Sequence, residues 1–391
     1  MDAGAVYLDY AATSAVRPEP VIDAVADYLR GIGATPGRAG HRRAVEAGRI
    51  VFRCRRALAA LFNAPGDPGR LTFHLNATHA LNVAILGLLR PGDRVVRTAY
   101  DHNAVRRPVR ALAGRGVHET VLAGQTDGSI ALDEAERALL GARLLVIPHA
   151  TNVLGTALPV AELAARAHAA GALVLVDAAQ SAGHLPIDVQ AMGIDLLAFT
   201  GHKGLLGPQG TGGLWVRDGI DLPPVFMGGT GGDSDAPDMP ALFPDRLEAG
   251  SQNGPGIAGL LAGVEWLAER GIAAVHAREI ELKLRLWDAL DLIPGVSLLS
   301  PPAEDGVGIV TMNLAGVDAA DLARRLDRDF GVLVRAGLHC SPEQHDAIGT
   351  GAIGAVRFSV GWATTEVEVD RAAAAVARIA SAEPQAPRAG S

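Results

Sequence analysis

Short apolar, β-rich runs alternate along most of this chain with Ala/Leu-rich stretches of helical period, and this alternation limits the fold more than any other feature. Residues 71–75, 94–98, 144–148, 173–176, 196–200 and 213–216 read as strands. The stretch 78–89 predicts a helix with Leu81, Ile85, Leu88 and Leu89 on one face. A second helix is expected over 160–170, closed by Gly171. Strands separated by helices form a mostly parallel sheet covered on both faces. A long helical stretch, 256–290, leads to a second α/β region with segments 308–313, 319–330 and 355–360. The expected organisation is an N-terminal arm (1–19) packing with the small domain and a large α/β domain (20–258). A smaller α/β domain (259–380) and a Pro/Ala/Ser-rich disordered tail (381–391) complete it.

Several function classes are disfavoured at once. A net charge of −8 argues against a nucleic-acid partner. The arginines at Arg53, Arg55 and Arg56 alternate with apolar residues and read as a solvated helix face. No uninterrupted apolar run approaches the roughly 18 residues of a membrane span, and the start lacks the basic-then-apolar order of a signal peptide. The two cysteines, Cys54 and Cys340, cannot build a disulfide framework. A cytoplasmic protein is expected.

In open parallel sheets ligands bind beyond the carboxyl ends of the strands. Five expected strands are followed there by polar residues: Asn76-Ala77-Thr78-His79, Tyr100-Asp101-His102-Asn103, His149-Ala150-Thr151-Asn152, Asp177-Ala178-Ala179-Gln180 and Thr200-Gly201-His202-Lys203. Any one strand must stop somewhere, and polar residues commonly stop it. Five together mark a binding edge. Signatures of phosphate loops, zinc proteases, CxxC sites and nucleophile elbows are absent, and the histidines lack metal-ligand spacing.

Lysine usage sharpens the picture. Among 35 basic residues only Lys203 and Lys283 are lysines. Arginine replaces lysine in most ion pairs, but its guanidinium cannot condense with a carbonyl. Each remaining lysine therefore raises the question of whether a primary amine is required. Lys283 stands four residues after Glu279 in a helical pattern and reads as an ordinary surface pair. Lys203 stands at a strand end and has no such explanation.

Pyridoxal 5'-phosphate (PLP) needs this set: an amine for its aldehyde, an acid beside its pyridine nitrogen, and an anion site for its phosphate. Lys203 supplies the amine and Asp177 the acid, although an Asp here could instead cap the following segment. Thr78, in the first turn of a helix, offers a hydroxyl and free backbone N–H groups to a phosphate. Thr200 and His202 flank the lysine and could complete that cradle.

The motifs that carry these residues resemble the class-V aminotransferase-like PLP enzymes of fold type I, and among them SUF-type cysteine desulfurases and selenocysteine lyases. TNVLGTALPV, VDAAQSAGHLPIDVQ and TGHKGLLGPQGTG are similar to three consecutive core motifs. YLDYAATS, DHNAVRRP, PDRLEAGSQN, VRAGLHCSP and AVRFSVGWATTEVEVD match other blocks in order. The resemblance implies a fold-type I transferase: a large domain with a mostly parallel sheet plus a smaller α/β C-terminal domain. It implies that Lys203 carries the cofactor, Asp177 holds the pyridine nitrogen, and His102 stacks on the ring and moves protons. Asn152 and Gln180 would lie near the phenolic oxygen. Thr78, Thr200 and His202 would bind phosphate, joined by Ser251 of the partner subunit in a homodimer with shared sites. Arg357 would hold the substrate carboxylate, with Asn152, Arg335 and His41 also at the substrate. Two departures stand out: the phosphate loop reads NATHALN where the family often has Gly-Thr-Thr, and GRAGH around His41 only loosely follows the family's pattern.

By the same resemblance L-cysteine would be the substrate and alanine the product, with the sulfur passing as a persulfide on Cys340 to an acceptor protein or small thiol. A thiol is mostly protonated at neutral pH, and Arg335 and His339 stand close enough in sequence to assist it. The loop RAGLHCSPEQH has no helical or strand period and only one large apolar residue, so Cys340 is not expected to be buried. Cys54, in RIVFRCRRALAALF, reads as a buried, inert thiol. Selenocysteine lyase or another class-V lyase or epimerase remains an alternative within enzymes. A PLP-fold sulfur-relay scaffold with little turnover alone is the alternative outside them.

Overall fold

A computed structural model describes residues 4–37, 39–231 and 235–382. The path opens with a short strand, β1 (Val6–Tyr7), and two helices, α1 (Glu19–Asp27) and α2 (Arg42–Leu61). An alternating run follows: β2 (Leu71–His74), α3 (Ala77–Leu88), β3 (Arg94–Thr98), α4 (Asn103–Ala113), β4 (His118–Leu122), α5 (Leu132–Leu139), β5 (Leu144–Pro148), α6 (Val160–Ala169), β6 (Leu173–Asp177), β7 (Leu196–Thr200) and β8 (Gly212–Val216). Strands β2 to β8 form one seven-stranded sheet in the order β2-β8-β7-β6-β5-β3-β4. Only β8 runs against its neighbours. This is the expected α/β fold.

The strands are apolar on both sides because both faces are covered. Val96, Leu145, Ile147, Val174, Val176 and Leu197 enter one core. Val95, Leu144, Val146, Leu175, Leu196 and Ala198 enter the other. Successive residues of each strand thus go to opposite helical layers, as the two-residue period of a strand requires.

The long helical stretch divides. Helix α7 (Gly254–Arg270) ends at Gly271, whose φ of 79° lies where glycine is favoured, and α8 (Ile272–Asp291) starts in a new direction. Ile257, Leu260, Val264 and Leu267 of α7 pack into the core of the large sheet. Leu282, Leu286 and Leu290 of α8 pack into a different core. Helix α7 therefore runs straight through the boundary expected at 258/259, and the change of core falls at Gly271.

That second core supports β9 (Val296–Leu298), β10 (Ile309–Leu314), α9 (Ala319–Phe330), β11 (Val332–Leu333), β12 (Arg335–Gly337), β13 (Ala355–Ser359) and α11 (Glu366–Ala382), while α10 (Pro342–Ala347), between β12 and β13, adds no residue to it. The order β12-β13-β10-β9 makes an antiparallel sheet. β1 pairs in parallel with β11, which ties the N-terminal segment to this part of the chain. The first two residues of the expected tail belong to α11, and its remainder, 383–391, lies outside the described residues. Among the described residues no helix is long and apolar enough to cross a membrane.

Two charged residues depart from expectation. Arg55 is only 4% exposed and gives two guanidinium nitrogens to the Glu248 carboxylate at 2.6 Å each. Lys283 is 1% exposed, and its Nζ donates to Ala303 O at 2.7 Å. Its expected partner Glu279 instead accepts from His184 Nδ1 at 2.7 Å. Helical spacing says which residues share a face; it does not say that the face stays in water.

Candidate active site

The carboxyl ends of β2, β3, β5, β6 and β7 open onto one cavity of about 240 Å³. It is lined by Asn76 and Thr78 after β2, His102 after β3, Asn152 after β5, Asp177 and Gln180 at β6, and Thr200, His202 and Lys203 at β7. Eight of the residues expected to bind cofactor are thus brought together: Thr78, His102, Asn152, Asp177, Gln180, Thr200, His202 and Lys203.

Local chemistry explains how each is presented. Asn76 caps α3, its Oδ1 accepting from His79 N at 2.9 Å. This turns the free N–H groups at the start of α3 toward the cavity beside the Thr78 hydroxyl. His102 caps α4, its Nδ1 accepting from Ala104 N at 3.0 Å. The proton of the neutral ring therefore sits on Nε2. Gln180 is held by a bond from Nε2 to Ala11 O at 3.1 Å. Gly183, at φ 90°, matters in the same region: a Cβ there would fall 2.2 Å from Gly204 O. The loop after Asp177 can lie backbone to backbone on the loop after Lys203 only because that Cβ is missing.

Burial dominates the electrostatics. Burial, then repulsion by Arg357, lowers the Lys203 amine to about 8 against the pull of Asp177. The Asp177 carboxyl is raised by burial, opposed by the Ala179 N–H and by Lys203. Its Oδ1 does accept from Ala179 N at 2.9 Å, so the capping role weighed for it is real and coexists with its place in the cavity. His102 and His202 are both lowered to about 4, by burial first and then by Lys203.

The donors fit a phosphorylated, aldehyde-bearing cofactor. Thr200 Oγ1 is buried without a hydrogen-bond partner. Lys203 Nζ has none among the described residues. An acid, an uncommitted amine and an uncommitted hydroxyl thus line a single cavity next to a helix N-terminus.

Arg357, 1% exposed, stands behind this cavity. Its Nη1 donates to Asn152 O at 2.8 Å and its Nη2 to Asp9 Oδ1 at 3.0 Å, while Nε is buried and unpartnered. Cys340 is partly exposed, and Arg335 Nη2 lies 3.7 Å from its Sγ. His339 and Cys340 both take positive φ, 50° and 62°. Asn152 grips this turn from both sides: its Nδ2 donates to His339 O at 2.6 Å, and its Oδ1 accepts from Ser341 Oγ at 2.7 Å. Asn103 N adds a bond to Cys340 O at 2.8 Å.

Three expectations are corrected or displaced. His339 does not supply a cation to the thiol: it is buried and its pKa lowered to about 3, by burial and then by Arg357. Its ring bonds His345 Nε2 and Arg335 O instead. His41 caps α2 through Nδ1 and is exposed away from the cavity. Ser251 is exposed and lines a separate cavity with Leu75, His79 and Gln252. Cys54 is fully buried, which pushes its thiol upward, as expected of an inert residue. Sequence reading missed Asp9, Asn103 and Ser341 as partners of the site. Asp9 lies in a recognised motif, but nothing in sequence joins it to a residue 348 positions away.

Comparison with known proteins agrees with this geometry. Residues 6–372 match the family model for class-V aminotransferases. A probable cysteine desulfurase of Methanothermobacter thermautotrophicus is 35% identical over 373 residues, covering 93% of this chain and 92% of that one. The apo structure of a cysteine desulfurase from Thermococcus onnurineus superposes with a TM-score of 0.90 at 31% identity, covering 96% and 95% of the two chains. The cysteine desulfurase CsdA of Escherichia coli, in an S-sulfonic acid form, gives 0.86 at 29% identity over 96% and 94%. With its lysine, acid and anion cradle at the strand ends, the chain belongs to the class-V aminotransferase family, and within it to the cysteine desulfurases that use pyridoxal 5'-phosphate.

Proposed function

We propose that this chain is a cysteine desulfurase that takes the sulfur of L-cysteine onto Cys340, releases alanine and passes the sulfur to an acceptor protein or small thiol. The observation that carries this reading is the turn of Cys340, fixed by Asn152 and Asn103 at the cavity that holds Lys203.

Bound PLP supplies an electron sink for the charge that develops at the substrate Cα. Lys203 binds that group and, as an amine lowered to about 8, can also take and return the Cα proton near neutral pH. Asp177 holds the pyridine nitrogen. Thr78, Thr200 and His202 receive the phosphate. His202 Nδ1 lies 3.1 Å from Thr13 Oγ1, which is also within reach of His202 O; with the hydroxyl donating to Nδ1, the proton of the neutral ring sits on Nε2 and can be given to that anion. The guanidinium of Arg357, with its open Nε, receives the substrate carboxylate.

The sulfur is accepted by this chain's own thiol. Arg335 sets a cation beside Sγ, where a thiolate forms before attack. The thiolate attacks the substrate sulfur, a S–S bond forms and the Cβ–S bond breaks. Its electron pair stays with the carbon skeleton, which takes up a proton and leaves as alanine.

The remaining contributors fit a two-fold dimer. Ser251 is exposed in a cavity it shares with the exposed Leu75 and with His79, against whose ring the exposed Phe226 packs edge-on, as a surface buried by a second copy would be. In that dimer Ser251 would reach the partner's phosphate site, and His41 would be free to approach the partner's substrate. The test is product analysis: alanine and sulfide formed in equal amounts from L-cysteine, faster with a thiol acceptor present. Racemisation of amino acids without sulfur release would replace this reading with another class-V activity.

A further inference from the structure

The turn that carries Cys340 is costly to hold. Two consecutive non-glycine residues take positive φ, a region that crowds any Cβ, and such turns persist only where their surroundings fix them. Asn152 and Asn103 fix one side from the cavity. A second hold lies outside the cavity lining, on Glu343, three residues after Cys340 at the start of α10.

Arg97, next to the carboxyl end of β3 and 2% exposed, reaches Glu343 with two nitrogens: Nη1 to Oε2 at 2.5 Å and Nη2 to Oε1 at 3.0 Å. Arg106 of α4 adds Nε to Oε1 at 2.8 Å. Arg97 is itself fixed by Glu119 on β4 and by Thr98 O. The carboxylate therefore receives three charge-assisted bonds from the large sheet and its helix, and such forked pairs define geometry as well as energy. The guanidiniums hold the Glu343 carboxyl below its usual range even though partial burial pushes the other way.

Beyond Glu343 the fixation continues through neutral groups. His339 bonds Arg335 O through Nε2, so that nitrogen carries the proton and Nδ1 accepts from His345 Nε2. His345 Nδ1 is then left to accept from Thr350 Oγ1 at 2.8 Å. Every tautomer in this chain is determined, which makes α10 and the turn one rigid piece. Glu343 is where that piece is fastened to the seven-stranded sheet.

We infer that Glu343 is a positioning residue for sulfur transfer: gripped by Arg97 and Arg106, it holds the Cys340 turn at the distance from the cavity that attack on the substrate sulfur requires. This rests on Cys340 being the sulfur-accepting thiol. Glu343 does not line the cavity, so substrate binding should be independent of it.

The test uses the holoenzyme and Glu343→Gln, which keeps the shape and removes the charge. Three readings are taken: kcat and KM for cysteine, the change in the cofactor's visible spectrum on adding cysteine, and the alkylation rate of Cys340 by iodoacetamide, located by peptide mass. The expected result is a kcat lower by about 10-fold with KM changed by less than about 3-fold. The cysteine-induced spectral change should be unaltered, and Cys340 alkylation several-fold faster as the turn loosens. Arg106→Gln, which removes one bond of three at a half-exposed residue, should move the same readings the same way but less. Normal kcat and normal alkylation in both variants would overturn the inference. So would a general loss of cofactor binding with unchanged alkylation, which is what a merely structural role gives. Alkylation does not depend on turnover. If the wild type forms no persulfide, the functional reading fails and the inference with it, whereas a wild type that desulfurates beside unresponsive variants removes the inference alone.

Discussion

Arg357 Nη2 lies 3.0 Å from Asp9 Oδ1, so two segments 348 residues apart meet at the guanidinium that we propose receives the substrate carboxylate. With Nη1 engaged by Asn152 O, the side chain is already aimed before substrate arrives. Only Nε remains buried and unpaired. Arg357→Lys keeps a positive charge and loses the fork. KM for cysteine should rise by roughly 10-fold or more, with the cofactor's visible spectrum unchanged. A KM within about 2-fold of normal would put the carboxylate elsewhere.

The two lysines can be separated chemically. Lys283 Nζ is buried and committed to Ala303 O, whereas Lys203 Nζ faces the cavity without a partner. Borohydride reduction of the holoenzyme followed by peptide mapping should tag the peptide carrying Lys203. Lys203→Ala should take up no tag while still binding PLP weakly through the phosphate cradle and Asp177. A tag on Lys283 would remove Lys203 from its proposed role.

Acid should destabilise the fold sooner than its carboxylates alone would require. Burial, before any other cause, lowers His74 and His339 to about 3 and His149 and His345 to about 4. In the unfolded chain each would titrate near ~6.5. Between those values the unfolded state binds protons that the native state does not, so stability falls as pH falls from about 6.5 to 4. His184 runs the other way. Burial disfavours its charge, but Glu279 outweighs burial and raises it, so its contribution is full at low pH and lost as pH rises through the folded value. His79, His102 and His202 are lowered by burial as well, so seven histidines stand against His184 and the burial-raised carboxyls of Asp101 and Asp177, and the net slope is expected to be destabilising. Tm of the holoenzyme should decline steadily on acidification below about 6.5, and a flat Tm down to pH ~5 would contradict it.

The binding edge was legible because strand ends in a parallel sheet expose their following residues to one side, whatever the helices do. Lys203 and Asp177 stood out for that reason, and the lysine-poor composition singled out the first. Contacts across long separations were not legible. Asp9 and Arg357, or Arg97 and Glu343, are joined by sheet geometry that no local pattern encodes. Periodicity also failed where burial decides. Lys283 and Glu279 do share a helix, but α8 turns both inward, and Glu279 is taken by His184. Likewise His339 stands next to Cys340, yet its ring points into a buried neutral chain and supplies no charge to the thiol. Adjacency in sequence said nothing about protonation.

The sharpest prediction concerns the two cysteines. Cys54 is fully buried in the core under the large sheet, where the thiol is pushed toward its neutral form and no reagent or substrate can approach. Cys340 sits in a positive-φ turn, partly exposed, with a guanidinium nitrogen 3.7 Å from sulfur. A residue packed only for its size would have no need of such a backbone, because an extended turn would bury a small side chain at lower cost. Holding it there through Asn152, Asn103 and the buried histidine chain makes sense if the sulfur must meet a substrate. Cys340→Ser replaces sulfur by a hydroxyl of similar size in the same turn. PLP binding and the spectral response to cysteine should be retained, while persulfide and sulfide release fall to background. Mass analysis of wild-type protein quenched after cysteine addition should find one additional sulfur on the Cys340 peptide and none on the Cys54 peptide. Desulfuration at a normal rate by Cys340→Ser would mean that the thiol is incidental and that the chain runs a different class-V reaction.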